Sequence, residues 1–184
     1  MTRIIAGGAR GIRLAVPARG TRPTSDRVRE SLFAGIESMG ALDDARVLDL
    51  YAGSGALGLE ALSRGAASVD LVELSRPAAT IARDNIGRVE RSLGRSGLGR
   101  VHTVSADAFL RGSVAAFDVV FLDPPYDLGE PELTTTLGLL TPRLAEDRLV
   151  IVERSRHSPE PTWPADLELA RERAYGDTVI WQAH

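Results

Sequence analysis

The stretch Val47-Leu48-Asp49-Leu50-Tyr51-Ala52-Gly53-Ser54-Gly55-Ala56-Leu57-Gly58 constrains this chain more than any other. It is an apolar strand with an acid near its end, passing at once into a glycine-rich turn and a helix. Glycine lets the backbone come close to a ligand, and a helix N-terminus aims its free N–H groups there, so the unit forms a nucleotide-sized cradle. The surrounding fold is thereby restricted to a layered α/β arrangement that holds a cofactor at this turn.

Gly53-x-Gly55-x-x-Gly58 also matches the dinucleotide fingerprint, with Glu73 at the spacing of a ribose-binding acid. Asp49 weighs against a pyrophosphate. A carboxylate four residues before the first glycine faces the phosphates and repels them by ~1 kcal/mol or more when partly desolvated. S-adenosylmethionine carries a sulfonium and an ammonium instead, so the same carboxylate attracts it. A purely local role for Asp49, bonding turn amides, is the competing reading.

From Ala45 onward strands and helices alternate, which predicts a mostly parallel sheet with helices on both faces. Strands are expected at Arg46–Leu50, Ser68–Val72, Arg100–Val104, Phe117–Leu122 and Leu149–Glu153. Helices follow the glycine turn as far as Ser63, with Gly65 as C-cap, and run from the Ser75 cap to Leu93. Leu167–Ala174 and Thr178–Trp181 read as a terminal hairpin. Ligands bind at the carboxyl ends of strands in such sheets. Asp49, Glu73 and Asp107 occupy that edge at or after three successive strands and can converge on one ligand. Glu73 would accept both ribose hydroxyls and Asp107 the adenine amino group, with the Ala108 amide serving the ring.

The fourth strand runs directly into Asp123-Pro124-Pro125-Tyr126. A given four-residue word arises by chance in roughly one chain in a thousand of this length, and its place at a strand end makes accident rarer still. The two prolines fix the backbone and remove two donors, leaving the Asp123 carboxylate and the Pro124 carbonyl as acceptors. An exocyclic amine needs acceptors. Its lone pair is delocalised into the ring, and two hydrogen bonds from its protons rehybridise the nitrogen and aim the lone pair. Tyr126 would stack on the base, which must be unstacked or flipped to enter.

The N-terminal residues differ in character. Residues 1–29 hold Arg3, Arg10, Arg13, Arg19, Arg22, Arg27 and Arg29 against Asp26 alone, although the whole chain is net −3. A basic segment on an acidic body points to a phosphate-facing surface. The absence of lysine, which leaves arginine every solvating role, is the plain alternative. Thr2–Ala6 and Ile12–Val16 around Gly7-Gly8-Ala9-Arg10-Gly11 read as a β-hairpin. A helix follows, capped by Thr24 or Ser25, with Val28, Leu32, Phe33, Ile36 and Met39 on its packed face. Residues 1–44 are expected as an extension facing nucleic acid and residues 45–184 as the Rossmann-like cofactor-binding domain. With no signal-like start and no apolar run of spanning length, a cytoplasmic protein with no membrane contact is expected. The chain has no cysteine, which removes disulfides, thiolate metal sites and thiol nucleophiles. His102, His157 and His184 lack ligand spacing, so no metal is expected.

Asp49-x-x-x-Gly53-x-Gly55, Glu73, Asp107-Ala108 and Asp123-Pro124-Pro125-Tyr126 resemble the class I S-adenosylmethionine-dependent amino methyltransferases. More narrowly, Arg3-Ile4-Ile5-Ala6-Gly7, Arg22-Pro23-Thr24-x-Asp26-Arg27-Val28-Arg29-Glu30-x-Leu32-Phe33 and Leu50 through Ala61 resemble the RsmD family, which methylates guanine N2 in 16S ribosomal RNA. The resemblance covers nearly the whole chain, the tail being its least distinctive part. It implies a Rossmann-like seven-stranded sheet with an antiparallel last strand. It also implies S-adenosyl-L-methionine held by Asp49, Tyr51, Gly53, Ser54, Gly55, Glu73, Leu74, Asp107, Ala108 and Asp123. Asp123, Pro124 and Tyr126 would be catalytic, and Arg3, Arg10, Arg13, Arg22, Arg27 and Arg29 would hold RNA. The implied partner is the small ribosomal subunit or its rRNA, met by a monomer.

The residues leave other functions open. DNA adenine-N6 or cytosine-N4 methylation uses the same tetrapeptide, although no sizeable target-recognition domain is visible. Cytosine-C5 methylation by the usual route needs a cysteine thiolate, which the chain lacks. A non-catalytic RNA-binding or ribosome-assembly factor would have no use for the intact groups at Asp123 and Tyr126, and a NAD-dependent oxidoreductase stands last.

Overall fold

The computed structural model of the chain describes residues 2–17 and 26–184. In chain order its elements are strands β1 (Thr2–Arg3) and β2 (Arg13–Leu14), helix α1 (Asp26–Ser38), β3 (Arg46–Asp49), α2 (Ala56–Ser63), β4 (Ser68–Val72), α3 (Arg76–Leu93), β5 (Gly99–His102), α4 (Ala106–Gly112), β6 (Phe117–Leu122), α5 (Glu130–Leu140), β7 (Leu144–Ser155), β8 (Leu169–Tyr175) and β9 (Thr178–Ala183). Seven strands form one sheet in the order β5-β4-β3-β6-β7-β9-β8. Neighbours from β5 to β7 are parallel, and β9 runs antiparallel to both β7 and β8. This is the layered sheet with a reversed closing strand that the sequence implied.

Buried strands alternate their side chains between two helical layers. Val47, Val119, Phe121 and Ile151 face one layer, together with residues of α1, α2 and α3. Leu48, Leu50, Val120, Leu122, Val150 and Val152 face the other, against α4 and α5. Phe33 of α1 and Phe121 of β6 are both fully buried with ring centroids 5.5 Å apart. Truncating Phe33 to alanine is expected to cost about 3–5 kcal/mol through lost burial and the cavity it leaves. Ile4, Ala9 and Leu14 belong to the same cluster, so the N-terminal residues share one core with the sheet.

The N-terminal hairpin is shorter than its sequence suggests. Its ladder has two residue pairs, Thr2 with Leu14 and Arg3 with Arg13, because the backbone beyond Ile4 bonds α2 instead. The Ile5 and Ala6 amides donate to the two carboxylate oxygens of buried Glu60 at 2.8 and 3.0 Å, and the Ala9 amide donates to Ser63 Oγ at 2.9 Å. Gly7, at φ 80, lies so near that a Cβ would stand 1.9 Å from the Ser63 carbonyl oxygen. Asn85 of α3, wholly buried, completes the anchoring: its Oδ1 accepts from Ala15 N–H, and its Nδ2 donates to the Ala15 and Ser54 carbonyls, each at 2.9 Å.

Other boundaries shifted modestly. Helix α1 ends at Ser38, which leaves Met39 half exposed and not on the packed face. Arg64 occupies the C-cap of α2 and Gly65 follows at φ 118. Strand β5 starts at Gly99 and stops at His102, and β7 begins five residues before the expected Leu149. The proposed Thr24 or Ser25 cap lies outside the described residues, as do Arg19 and Arg22. No helix among the described residues is long and apolar enough to cross a membrane.

Candidate active site

Three neighbouring strands, β4, β3 and β6, bring Glu73, Asp49 and Asp123 to one sheet edge. Asp49 closes β3 and is 1% exposed. Its Oδ2 accepts from the Gly58 amide at 3.1 Å, and its Oδ1 has no partner among the described residues. Burial pushes its carboxyl up to about 7, the Gly58 amide opposes that rise, and the nearby Glu73 adds to it. A buried, half-satisfied carboxylate is expensive unless a cation arrives.

The glycine turn is built for close approach. Gly55 has φ 82, and a Cβ there would stand 2.7 Å from Leu71 Cδ1; at Gly58 a Cβ would meet Leu71 and Val69 at 2.6 Å. These two glycines let α2 pack on β4. Gly53, with φ 55, has no heavy atom within 4 Å of its Cβ position, so the turn opens outward at that residue. Glu73 reaches the turn from β4: Oε2 accepts from the Gly53 amide at 2.8 Å, and Oε1 from the Ser75 amide at 2.6 Å. Each carboxylate oxygen keeps a further acceptor site. Next to it, the apolar Leu74 side chain is 69% exposed.

Asp107 sits in the first turn of α4, where Thr136 Oγ1 of α5 donates to its Oδ1 at 2.8 Å. The Tyr51 hydroxyl lies 3.4 Å from Thr136 Oγ1, which links Tyr51, Thr136 and Asp107 along the edge. Burial raises the Tyr51 hydroxyl above its ordinary range. The Ala108 amide donates to Ser105 Oγ at 3.2 Å as part of the α4 cap.

At the end of β6 the two prolines do what their chemistry requires. The Pro125 carbonyl accepts from Leu128 N–H at 3.0 Å and closes a turn, while nothing among the described residues donates to the Pro124 carbonyl or the Asp123 carboxylate. Burial holds the Asp123 carboxyl well above the usual range, with Glu153 and then Asp49 adding to the effect. Tyr126 is 69% exposed beside it. Glu153 lies on the next strand over, one residue past the Leu122–Val152 pair that ends the β6–β7 ladder and within the part of β7 that continues beside β9 to Ser155. It escaped the sequence reading as a site residue although it ends the apolar run expected at Leu149–Glu153, the same signal that found Asp49. Thr136, inside a run of three threonines on a helix, carries no such signal.

The arginines separate into two kinds. Arg3, Arg10, Arg13 and Arg27 lie at the surface. Arg29 does not: it is 1% exposed, and its Nη2 donates to the Arg3 carbonyl at 2.7 Å and to Asp26 Oδ1 at 2.9 Å. Its assignment to RNA is therefore corrected. Its helical position faces the core, and its guanidinium ties α1 to β1.

The donor set suits S-adenosylmethionine. An orphaned buried Asp49 oxygen, acceptor capacity on Glu73 and an outward-opening Gly53 stand together; a cationic methylsulfonium with a ribose fits them, whereas the buried Asp49 carboxylate opposes a pyrophosphate.

Comparison with known proteins agrees with this fold. The chain is 41% identical to ribosomal RNA small subunit methyltransferase D of Escherichia coli over 178 residues, which is 96% of this chain and 86% of that protein. The solved structure of the Escherichia coli protein yhhF matches with a TM-score of 0.85 at 39% identity, covering 99% of this chain and 96% of that one. A magnesium protoporphyrin IX methyltransferase from Synechocystis, solved with bound S-adenosylmethionine, shares the fold at 17% identity, with a TM-score of 0.65 over 85% of this chain and 77% of that one. The profile of the family described as conserved hypothetical protein 95 matches residues 2–183, so the chain belongs to that family, the RsmD methyltransferases.

Proposed function

We propose that this protein transfers a methyl group from S-adenosyl-L-methionine to the exocyclic N2 amine of a guanine in small-subunit (16S) ribosomal RNA. The observation that carries the proposal is the pair of unsatisfied acceptors, Asp123 and the Pro124 carbonyl, beside the orphaned carboxylate of Asp49. The name of the Escherichia coli relative supports the RNA class.

When bound, S-adenosylmethionine supplies an electrophilic methyl on a positive sulfur. Asp49 balances that charge, Glu73 takes the ribose hydroxyls, and Leu74 with Asp107 flanks the adenine. Tyr51, Gly53, Ser54 and Gly55 form the floor of this pocket. Because Ser105 already holds the Ala108 amide, Ala108 contributes mainly by shaping the α4 terminus. Asp123 and Pro124 accept the two N2 protons of guanine and aim the nitrogen lone pair in line with the methyl. Orientation of this kind is worth several kcal/mol, about 7 in favourable cases. Tyr126 stacks on the extruded base, a contact worth ~1–3 kcal/mol. A strong base is unnecessary, because the amine sheds its proton readily once methylated.

In this reading residues 1–44 form the RNA-facing extension and residues 45–184 the catalytic body, acting as a monomer in the cytoplasm. Arg3, Arg10, Arg13 and Arg27 meet phosphates, and Arg22 belongs to the same set on sequence grounds. The test is methyl transfer from radiolabelled cofactor to unmodified small subunits, naked rRNA and duplex DNA, followed by digestion to nucleosides. Label in N2-methylguanosine is expected. Label confined to DNA would replace the substrate, and no label despite measured cofactor binding would overturn the proposal.

A further inference from the structure

A shallow groove runs between the N-terminal hairpin and α3, lined by Ile12, Arg13, Arg88, Arg91 and Ser92. Three guanidiniums from two elements meet there, and no carboxylate lines it. Arg13, Arg88 and Arg91 form no ion pair among the described residues, whereas Arg3, Arg29, Arg46, Arg64 and Arg154 each have an acid within 4.0 Å. In a chain with more acids than bases, three neighbouring arginines without a carboxylate are an unspent positive field.

The local structure keeps them so. Glu90, on the same helix, is turned away, its Oε1 accepting from the Leu98 and Gly99 amides at 2.7 and 3.2 Å. Arg88 Nη1 lies 3.4 Å from the Arg13 carbonyl oxygen, which orients that side chain across the groove and leaves its other donors outward. Arg91 folds back along the helix over Gly87, where a Cβ would stand 3.3 Å from Arg91 Nη1.

The groove also points in a useful direction. Asn85 touches the Ser54 carbonyl of the glycine turn. Arg88 and Arg91 follow it on α3 by about 4.5 and 9 Å along the helix axis, so the groove leads away from the catalytic edge down one flank.

We propose that this groove is a track for the RNA sugar-phosphate backbone, in which Arg88 and Arg91 of α3 form the second wall opposite Arg13 of the hairpin. The inference rests on the RNA methyltransferase reading and adds a surface to it. Donors spread along a groove, with an isoleucine and a serine as the remaining lining, suit a linear polyanion read without regard to sequence.

The experiment compares wild-type protein with the Arg88→Ala/Arg91→Ala double variant and with Arg111→Ala, an exposed arginine on α4 outside the groove. Binding to naked 16S rRNA is followed across a salt series, with methyl transfer and cofactor affinity measured on the same samples. The double variant should lose about tenfold in RNA affinity, and the slope of log affinity against log salt should shrink by roughly 0.7–0.9 per arginine. Its turnover at saturating RNA and its cofactor affinity should stay at wild-type levels, and Arg111→Ala should match wild type throughout. An unchanged slope in the double variant, or an equal loss in Arg111→Ala, would overturn the groove while leaving the methyltransferase reading intact. Absence of RNA methylation by wild type would instead remove the reading on which the groove depends.

Discussion

The carboxyl edge of the sheet and the flank carrying the hairpin are both charged, but the charges work in opposite ways. At the edge, acids are withdrawn from water: Asp49 is buried with one oxygen unsatisfied, and burial raises both Asp49 and Asp123. On the flank, Arg10, Arg13, Arg88 and Arg91 stay solvated and exposed. A desolvated charge acts at contact distance and demands one particular partner; a solvated one acts through a screened field and tolerates many. The edge is thus suited to chemistry and the flank to capture.

Breaking the edge should have the largest effect. Asp123→Ala removes one of two acceptors for the target amine, and transfer should fall about a thousandfold, equivalent to ~4 kcal/mol, with cofactor affinity nearly unchanged. Single-turnover rates together with equilibrium cofactor binding separate the two quantities, and full turnover would break the assignment of this motif.

Asp49→Asn probes the same edge through stability. Because the folded-state value of Asp49 lies near 7, above the ordinary carboxylate value of 3.8, the folded ligand-free protein holds a proton that the unfolded chain has lost. This group's contribution therefore makes the fold less stable as pH rises from about 4 to about 7, by an amount on the order of 4 kcal/mol once complete. Asparagine can still accept from the Gly58 amide but carries no charge. Thermal unfolding at several pH values should show a flatter profile and higher stability at pH 8, with cofactor affinity about tenfold weaker. A steep profile retained in the variant would relocate the effect to another acid.

Arg29 sharpens the comparison, being an arginine treated like the edge acids. Arg29→Met should destabilise the protein by about 2 kcal/mol, since the Arg3 carbonyl and Asp26 lose the donor that buried Arg29 supplies, and should leave the salt dependence of RNA binding unchanged. Arg10→Ala with Arg13→Ala should do the reverse, with unfolding midpoints within about 1 °C of wild type and a salt slope lower by up to ~2. Denaturant unfolding and RNA titration on the same pair of variants would reveal any exchange of roles.

Much of this was legible in the chain. Strand–helix alternation, the glycine turn and the strand-end acids are local signals, and Asp49, Glu73 and Asp123 stand at one edge because a parallel sheet has a single carboxyl edge. Features that depend on which elements meet were not legible. Glu60 and Ser63 read as ordinary residues of a short helix, and nothing local says that they bind the Ile5, Ala6 and Ala9 amides in place of a longer hairpin ladder. Arg29 looked solvated because its burial depends on β1 lying across α1. The Asp107–Thr136 contact depends on α4 meeting α5.

The anchoring of the hairpin also bears on how the protein forms during synthesis. The hairpin leaves the ribosome before the side chains that receive it, since Glu60, Ser63 and Asn85 lie 54 to 70 positions later in sequence. Two ladder pairs alone do not hold such a segment, so it must wait for α2 and α3 to emerge and pack. A segment that carries three exposed arginines, Arg3, Arg10 and Arg13, is thus made early and fixed late. Throughout that interval it is an unanchored cationic strand beside the ribosome's own RNA.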